Sequence, residues 1–218
     1  MRPRNIARSA GALCFAMTWT GAEAALAQSE TTSVPQPQID VHQSKLDVRA
    51  GGRTVVAGKL RPAVAGVVVS LQVRRGPHWR ALERDRTDAA GRFKLRERVG
   101  RTGSAPVRIR VGVTAGMRSG KRALGRLNVY RSAHASWYGP GLYGNRTGCG
   151  GTLDAGRLGV AHKSLPCGTM VTFRRGKRSV RVPVIDRGPY VGGREYDLTA
   201  ATAQRLGFRG HGAVLVTR

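Results

Sequence analysis

The stretch Val182–Thr199, VPVIDRGPYVGGREYDLT, sets two aspartates, Asp186 and Asp197, at the ends of a connection rich in Gly and Pro. Acids are scarce in this chain, with 12 Asp+Glu against 38 Lys+Arg and a formal net charge of +26. Scattered acids in so basic a protein read as ion-pair partners. A pair at the two ends of a tight connection reads instead as a carboxylate site.

The stretch also anchors the fold. Val180, Val182 and Val184 alternate with polar residues, as a half-buried strand requires. Val171 and Phe173 do the same just upstream, and RRGKR between the two runs is a hairpin turn. Downstream, DLTAATAQRLG is a short helix, capped by Thr199 or Asp197, ending near Leu206 with Gly207 just past its end. The final run, GAVLVTR, is one more strand. Together with the Gly-rich HASWYGPGLYGNRTGCGGTL, residues 134–218 are expected to form a small β-barrel with one short helix.

Residues 39–130 have a different texture. RTVVAGKL, GVVVSLQVRR, RFKLRERV, PVRIRVGVT and RALGRLNVY are short alternating runs punctuated by Gly, Pro and Asp, the pattern of an all-β, immunoglobulin-like sandwich. Asp88–Gly91 is a turn ahead of the strand at Phe93. Trp79 and Phe93 are expected in the core. The module gathers no acid, His or Cys cluster suited to chemistry. Its outward arginines, Arg74, Arg75, Arg84, Arg86, Arg108 and Arg110, are either a solvated face or a hold for an anionic polymer.

Residues 1–27 have a basic start, a short apolar run and a small-residue cut site after Ala27, the regions of a secretory signal peptide; the polar, Pro-containing residues 28–38 read as a linker. The apolar run is too short for a stable membrane span, and Cys14 follows Leu13 where lipidation requires a small residue. Export leaves Cys149 and Cys167 as one expected disulfide, worth about 3 kcal/mol in the chain-entropy model. No metal and no cofactor are expected. Secretion to the cell envelope directs the excess positive charge toward anionic wall polymers rather than nucleic acid, and a monomer is expected.

The motifs ASWYGPG, GVAHKSLPCGT, VIDRGPYVGGR and YDLTAATAQRLG, in this order, resemble the double-psi β-barrel of the rare lipoprotein A family over residues 135–218. That family comprises septal-ring lytic transglycosylases of peptidoglycan and is related to expansins and to family 45 endoglucanases. The resemblance implies a six-stranded barrel that cleaves the β-1,4 MurNAc–GlcNAc bond of glycan strands to give 1,6-anhydro ends, in wall remodelling or septation. It implies catalytic roles for Asp186 of the D-R-G-P motif, for Asp197, and for Asp154 and His162 in the preceding loop. It implies substrate contacts from Trp137, Tyr138, Arg187 and Tyr190. Two positions depart from the pattern: Gly151 stands where many transglycosylases have a glutamate, and Glu195 where expansins have a histidine. Gly151 favours the alternative, a non-catalytic, expansin-like wall-binding or wall-loosening protein; a β-1,4-glucan hydrolase is a third reading.

Bond cleavage needs a proton on the leaving oxygen. A free Asp titrates near 3.9, so holding its proton at pH 7 costs about 4 kcal/mol. Arg187 and Arg194 would make that harder. A second carboxylate about 5 Å away would repel by about 3 kcal/mol at an effective dielectric near 20, which predicts that one of Asp186 and Asp197 stays ionised and forces the other to hold its proton. Read without the resemblance, Asp186 and Asp154 are turn residues, His162 is a structural histidine, and Asp197 is equally a helix cap or a functional carboxylate.

Overall fold

The alternating runs become strands throughout residues 34–114 and 116–218, the part of the chain that the computed structural model describes. The expected signal peptide and the first residues of the linker lie outside it. In chain order the first strands are β1 (Gln38–Lys45), β2 (Asp47–Arg49), β3 (Gly52–Arg61), β4 (Val68–Arg75), β5 (His78–Arg86), β6 (Arg92–Val99), β7 (Gly103–Val111) and β8 (Gly120–Tyr138). After them come β9 (Val160–Ala161), β10 (Met170–Arg175), β11 (Arg178–Asp186), β12 (Tyr196–Thr199), helix α1 (Ala200–Leu206) and β13 (Gly212–Val216).

A three-stranded sheet, β1-β3-β6, packs on a second sheet made by β5-β4-β7 and the first half of β8. Val56, Leu60 and Leu95 of the first sheet and Leu71, Ile109 and Val111 of the second are fully buried in one shared core. Burying each such side chain contributes about 1.5–3 kcal/mol. The turn before β6 is fixed by Asp88, whose Oδ1 accepts bonds from the Ala90 and Arg92 amides at 2.9 and 2.8 Å. Phe93 is in the core as expected, but Trp79 is not. Paired with Arg74, it stands on the outer face beneath Arg108. Strand β5 itself, HWRALERDR, escapes an apolar-run reading because it is a charged edge strand, and charge is how edges avoid further pairing.

The second half of β8 enters a separate core. The order β8-β13-β10-β11-β9-β12 closes when β12 pairs back onto β8, giving a six-stranded ring. Phe173, Val182, Tyr196, Leu198 and Val216 fill it. The β10–β11 hairpin pairs Val171 with Val182 and Phe173 with Val180, as the alternation requires, across a turn at Gly176, whose φ is 57°. Helix α1 is capped by Thr199, whose side chain accepts from the Thr202 amide, and ends at Gly207 in the left-handed region. Among the described residues no helix is long and apolar enough to cross a membrane.

Candidate functional site

Two-residue β9 decides the geometry. Ala161 is the cross-strand partner of Asp186 on one side and of Asp197 on the other. Residues in register across a sheet point to the same face, so both carboxylates look out on the side of Ala161, away from the barrel core. For Asp186 this needs a correction to simple alternation, because Val184, two residues earlier, faces the core. The register shift between Val184 and Asp186 supplies it: one extra residue, Ile185, bulges and re-aims the aspartate. Gly159 makes room for the bulge, since a Cβ there would meet Ile185 Cδ1 at 2.4 Å.

The two aspartates open into one cleft of about 310 Å³, whose walls include Tyr138, Asn145, Arg146, Arg187, Tyr190 and Arg194. Asp186 Oδ1 accepts backbone bonds from Gly148 at 2.7 Å and Arg187 at 2.8 Å. Asp197 Oδ1 accepts from Ser136 Oγ at 2.9 Å. Tyr138 lies beside both; its hydroxyl is buried without a hydrogen bond of good geometry, and burial, followed by the charge of Asp186, pushes its ionisation well above the usual tyrosine range. Tyr190, 84% exposed, stands at the rim.

The pKa of Asp197 is raised, first by burial. The Ser136 hydrogen bond and the charge of Arg194 pull it back down, and Asp186 contributes the smallest upward push. The expected dominance of carboxylate repulsion is therefore wrong in its cause. With β9 between them, the two backbones are two strand spacings apart, about 10 Å, and repulsion weakens accordingly.

Three other residues expected at the site, His162, Asp154 and Trp137, do not line this cleft. His162 follows Ala161 and so points the opposite way. Its ring packs on Tyr196 at 4.9 Å between centroids, and Nδ1 accepts from the Ser164 and Leu165 amides at 3.1 and 3.0 Å. Its pKa is lowered, chiefly by burial. It lines a neighbouring hollow that shares Arg194 with the cleft. Asp154 is exposed and holds a turn, accepting from the Gly156 amide at 2.8 Å. Trp137 alternates away from Tyr138 into a third hollow, beside Tyr143 and Phe208. Arg187 lines the cleft, but its guanidinium bonds to the His162 and Leu165 carbonyls at 3.2 and 2.9 Å and to Cys167 Sγ at 3.0 Å. Cys149 and Cys167 form a disulfide, which braces this same loop. Gly151 has φ 77° and abuts the Arg157 guanidinium. Ser136 and Arg146 were not singled out by motif, although alternation from Tyr138 places Ser136 on the cleft side. Among the described residues no three His, Cys, Asp or Glu side chains converge as a ligand set for a metal.

Residues 131–218 match the family model described as Lytic transglycolase. They form an RlpA-like double-psi β-barrel. The probable endolytic peptidoglycan transglycosylase RlpA of Synechocystis sp. is 46% identical over 80 residues, covering 36% of this chain and 25% of its own length. The corresponding protein of Aquifex aeolicus is 37% identical over 100 residues, covering 45% and 44%. The endolytic peptidoglycan transglycosylase RlpA of Campylobacter jejuni is 45% identical over 74 residues, covering 33% and 27%. The chain thus spans less than half the length of these relatives, and the likeness lies in the RlpA-like barrel.

Proposed function

We propose that the RlpA-like barrel is a peptidoglycan lytic transglycosylase in a protein of the cell envelope. The observation that carries this reading is Asp197: a carboxyl with a raised pKa, in a cleft whose other acid is anchored by two amides. In this reading Asp197 protonates the glycosidic oxygen as the C1–O4 bond breaks. The muramic 6-hydroxyl attacks C1, forming the C1–O6 bond of a 1,6-anhydro end, and gives its proton back to the Asp197 carboxylate. Asp186 offsets the positive charge that develops at C1. Tyr138 and Tyr190 provide surfaces for sugar rings, and Arg146 and Arg194 face the anionic groups of the strand. General acid catalysis of this kind contributes about 10²–10⁴-fold.

Digestion of glycan strands, with and without stem peptides, followed by mass spectrometry tests it. Anhydro ends are expected. Reducing ends would make the protein a hydrolase, and intact strands that sediment with the protein would make it a binder.

A further inference from the structure

The sandwich carries a built surface that the cleft does not use. Its β4 and β7 strands bury Leu71, Val73, Val107 and Ile109, so the residues between these face outward. The register lays them out in rows. One runs Arg84–Ser70–Arg110–Lys121 across β5, β4, β7 and β8, and the next runs Ala81–Gln72–Arg108–Ala123. Rows are about 7 Å apart, and neighbours within a row about 5 Å. The acids of β5, Glu83 and Asp85, pair with Leu71 and Val69 and so belong to the other side. Asp47, at the β2 end, is engaged by Asn128, Tyr130 and Arg174.

Arg108 is held in place. Its Nε donates to Gln72 Oε1 at 2.9 Å, and its guanidinium carbon lies 4.1 Å over the centroid of the Trp79 ring. These two restraints fix the plane of the group. Among the described residues neither Nη atom has a protein acceptor, and Arg108 lines a hollow of about 370 Å³ together with Gln36, Arg110 and Lys121. A guanidinium fixed flat with its fork free suits a two-oxygen anion, which a flexible ammonium serves less well. Positive charge continues toward the barrel: the basicity of Arg126 is lowered first by burial and then by the charge of Arg181 on β11.

We propose that this face binds an extended acidic polysaccharide, its carboxylates paired with Arg108, Arg110 and Lys121 and its ring hydroxyls meeting Gln72 and the edge of Trp79. The site is separate from the cleft and needs none of its residues.

Titration of the full chain with polygalacturonate oligomers, by calorimetry and indole fluorescence at about 0.15 M salt, tests this, with neutral dextran and duplex DNA as parallel arms. Polygalacturonate is expected to bind and dextran not to. Arg108→Gln is expected to weaken binding by about tenfold and Arg108→Lys by at least about fivefold, since the lysine keeps the charge and loses the fork. Trp79→Phe should abolish the fluorescence change, and Asp197→Asn should leave binding intact. If the Arg108 variants fold poorly, the exposed pair Arg110→Gln/Lys121→Gln gives a second reading, with about tenfold weakening expected. Wild-type affinity in Arg108→Lys, an unaffected Arg110→Gln/Lys121→Gln variant, equal binding of dextran, or duplex DNA binding as tightly as polygalacturonate would each overturn the proposal.

Discussion

Asp186 and Asp197 face the same side of the barrel wall because each takes Ala161 as its cross-strand partner. Neither is placed by the other. One carboxyl is raised by burial and the other is anchored by amides, and that division of circumstances underlies the first prediction.

Asp197→Asn should lower turnover by about 10²–10⁴-fold and yet raise the melting temperature at pH 7. A carboxyl whose folded pKa lies above its unfolded value stabilises the fold fully only at pH below the unfolded value. That contribution is lost as pH rises through the folded pKa, so an uncharged isostere removes a cost at neutrality. Paired kinetics and calorimetry check it; a lowered melting temperature would show that the buried charge is compensated.

Ser136→Ala removes the hydrogen bond that lowers the pKa of Asp197. The alkaline limb of the pH–rate profile, where the acid loses its proton, should therefore move to higher pH. A profile that stays in place or moves down would separate that limb from Asp197.

Gly159→Ala should destabilise by about 1–3 kcal/mol, because the added methyl meets Ile185 at the bulge. Since that bulge aims Asp186, activity should fall further than stability alone explains. Denaturant titration beside kcat measurements separates the two effects.

Gly151→Glu should lower the stability of the fold. The position has φ 77° and a Cβ would lie 2.8 Å from Arg157 Nη1. The left-handed backbone alone costs about 1–2 kcal/mol for a residue with a Cβ. Thermal melts check this directly.

Reduction of Cys149–Cys167 should cost about 3 kcal/mol for a loop closed over a separation of 18 residues. Arg187→Lys should loosen the same loop, because an ammonium cannot reproduce the guanidinium bonds to the His162 and Leu165 carbonyls. Hydrogen exchange over residues 162–168 reads both.

The hairpin of Val171–Val184 and the capped helix after Thr199 were legible because alternation, turn and cap residues agree locally. That Asp186 and Asp197 share a cleft was legible from the motif, but its cause was not. Strand β9 has two residues, too few for any periodic signal, and the Ile185 bulge breaks the alternation that would otherwise turn Asp186 inward. The same parity sends His162 and Trp137 away from the cleft although each adjoins a residue that lines it. Trp79 departs from expectation for a related reason: an aromatic in a sandwich suggests burial, and only the register with Arg74 and the stacking of Arg108 on its ring show that it stands on a charged face.

Strand β8 runs without a break from Gly120 to Tyr138, taking part in both cores. Its backbone bonds are committed to neighbours along both halves, to β7 and β2 in the sandwich and to β13 and β12 in the barrel. On the two proposed readings, the span from anchorage to cutting is measured along this shared strand, like the gap on a pair of callipers.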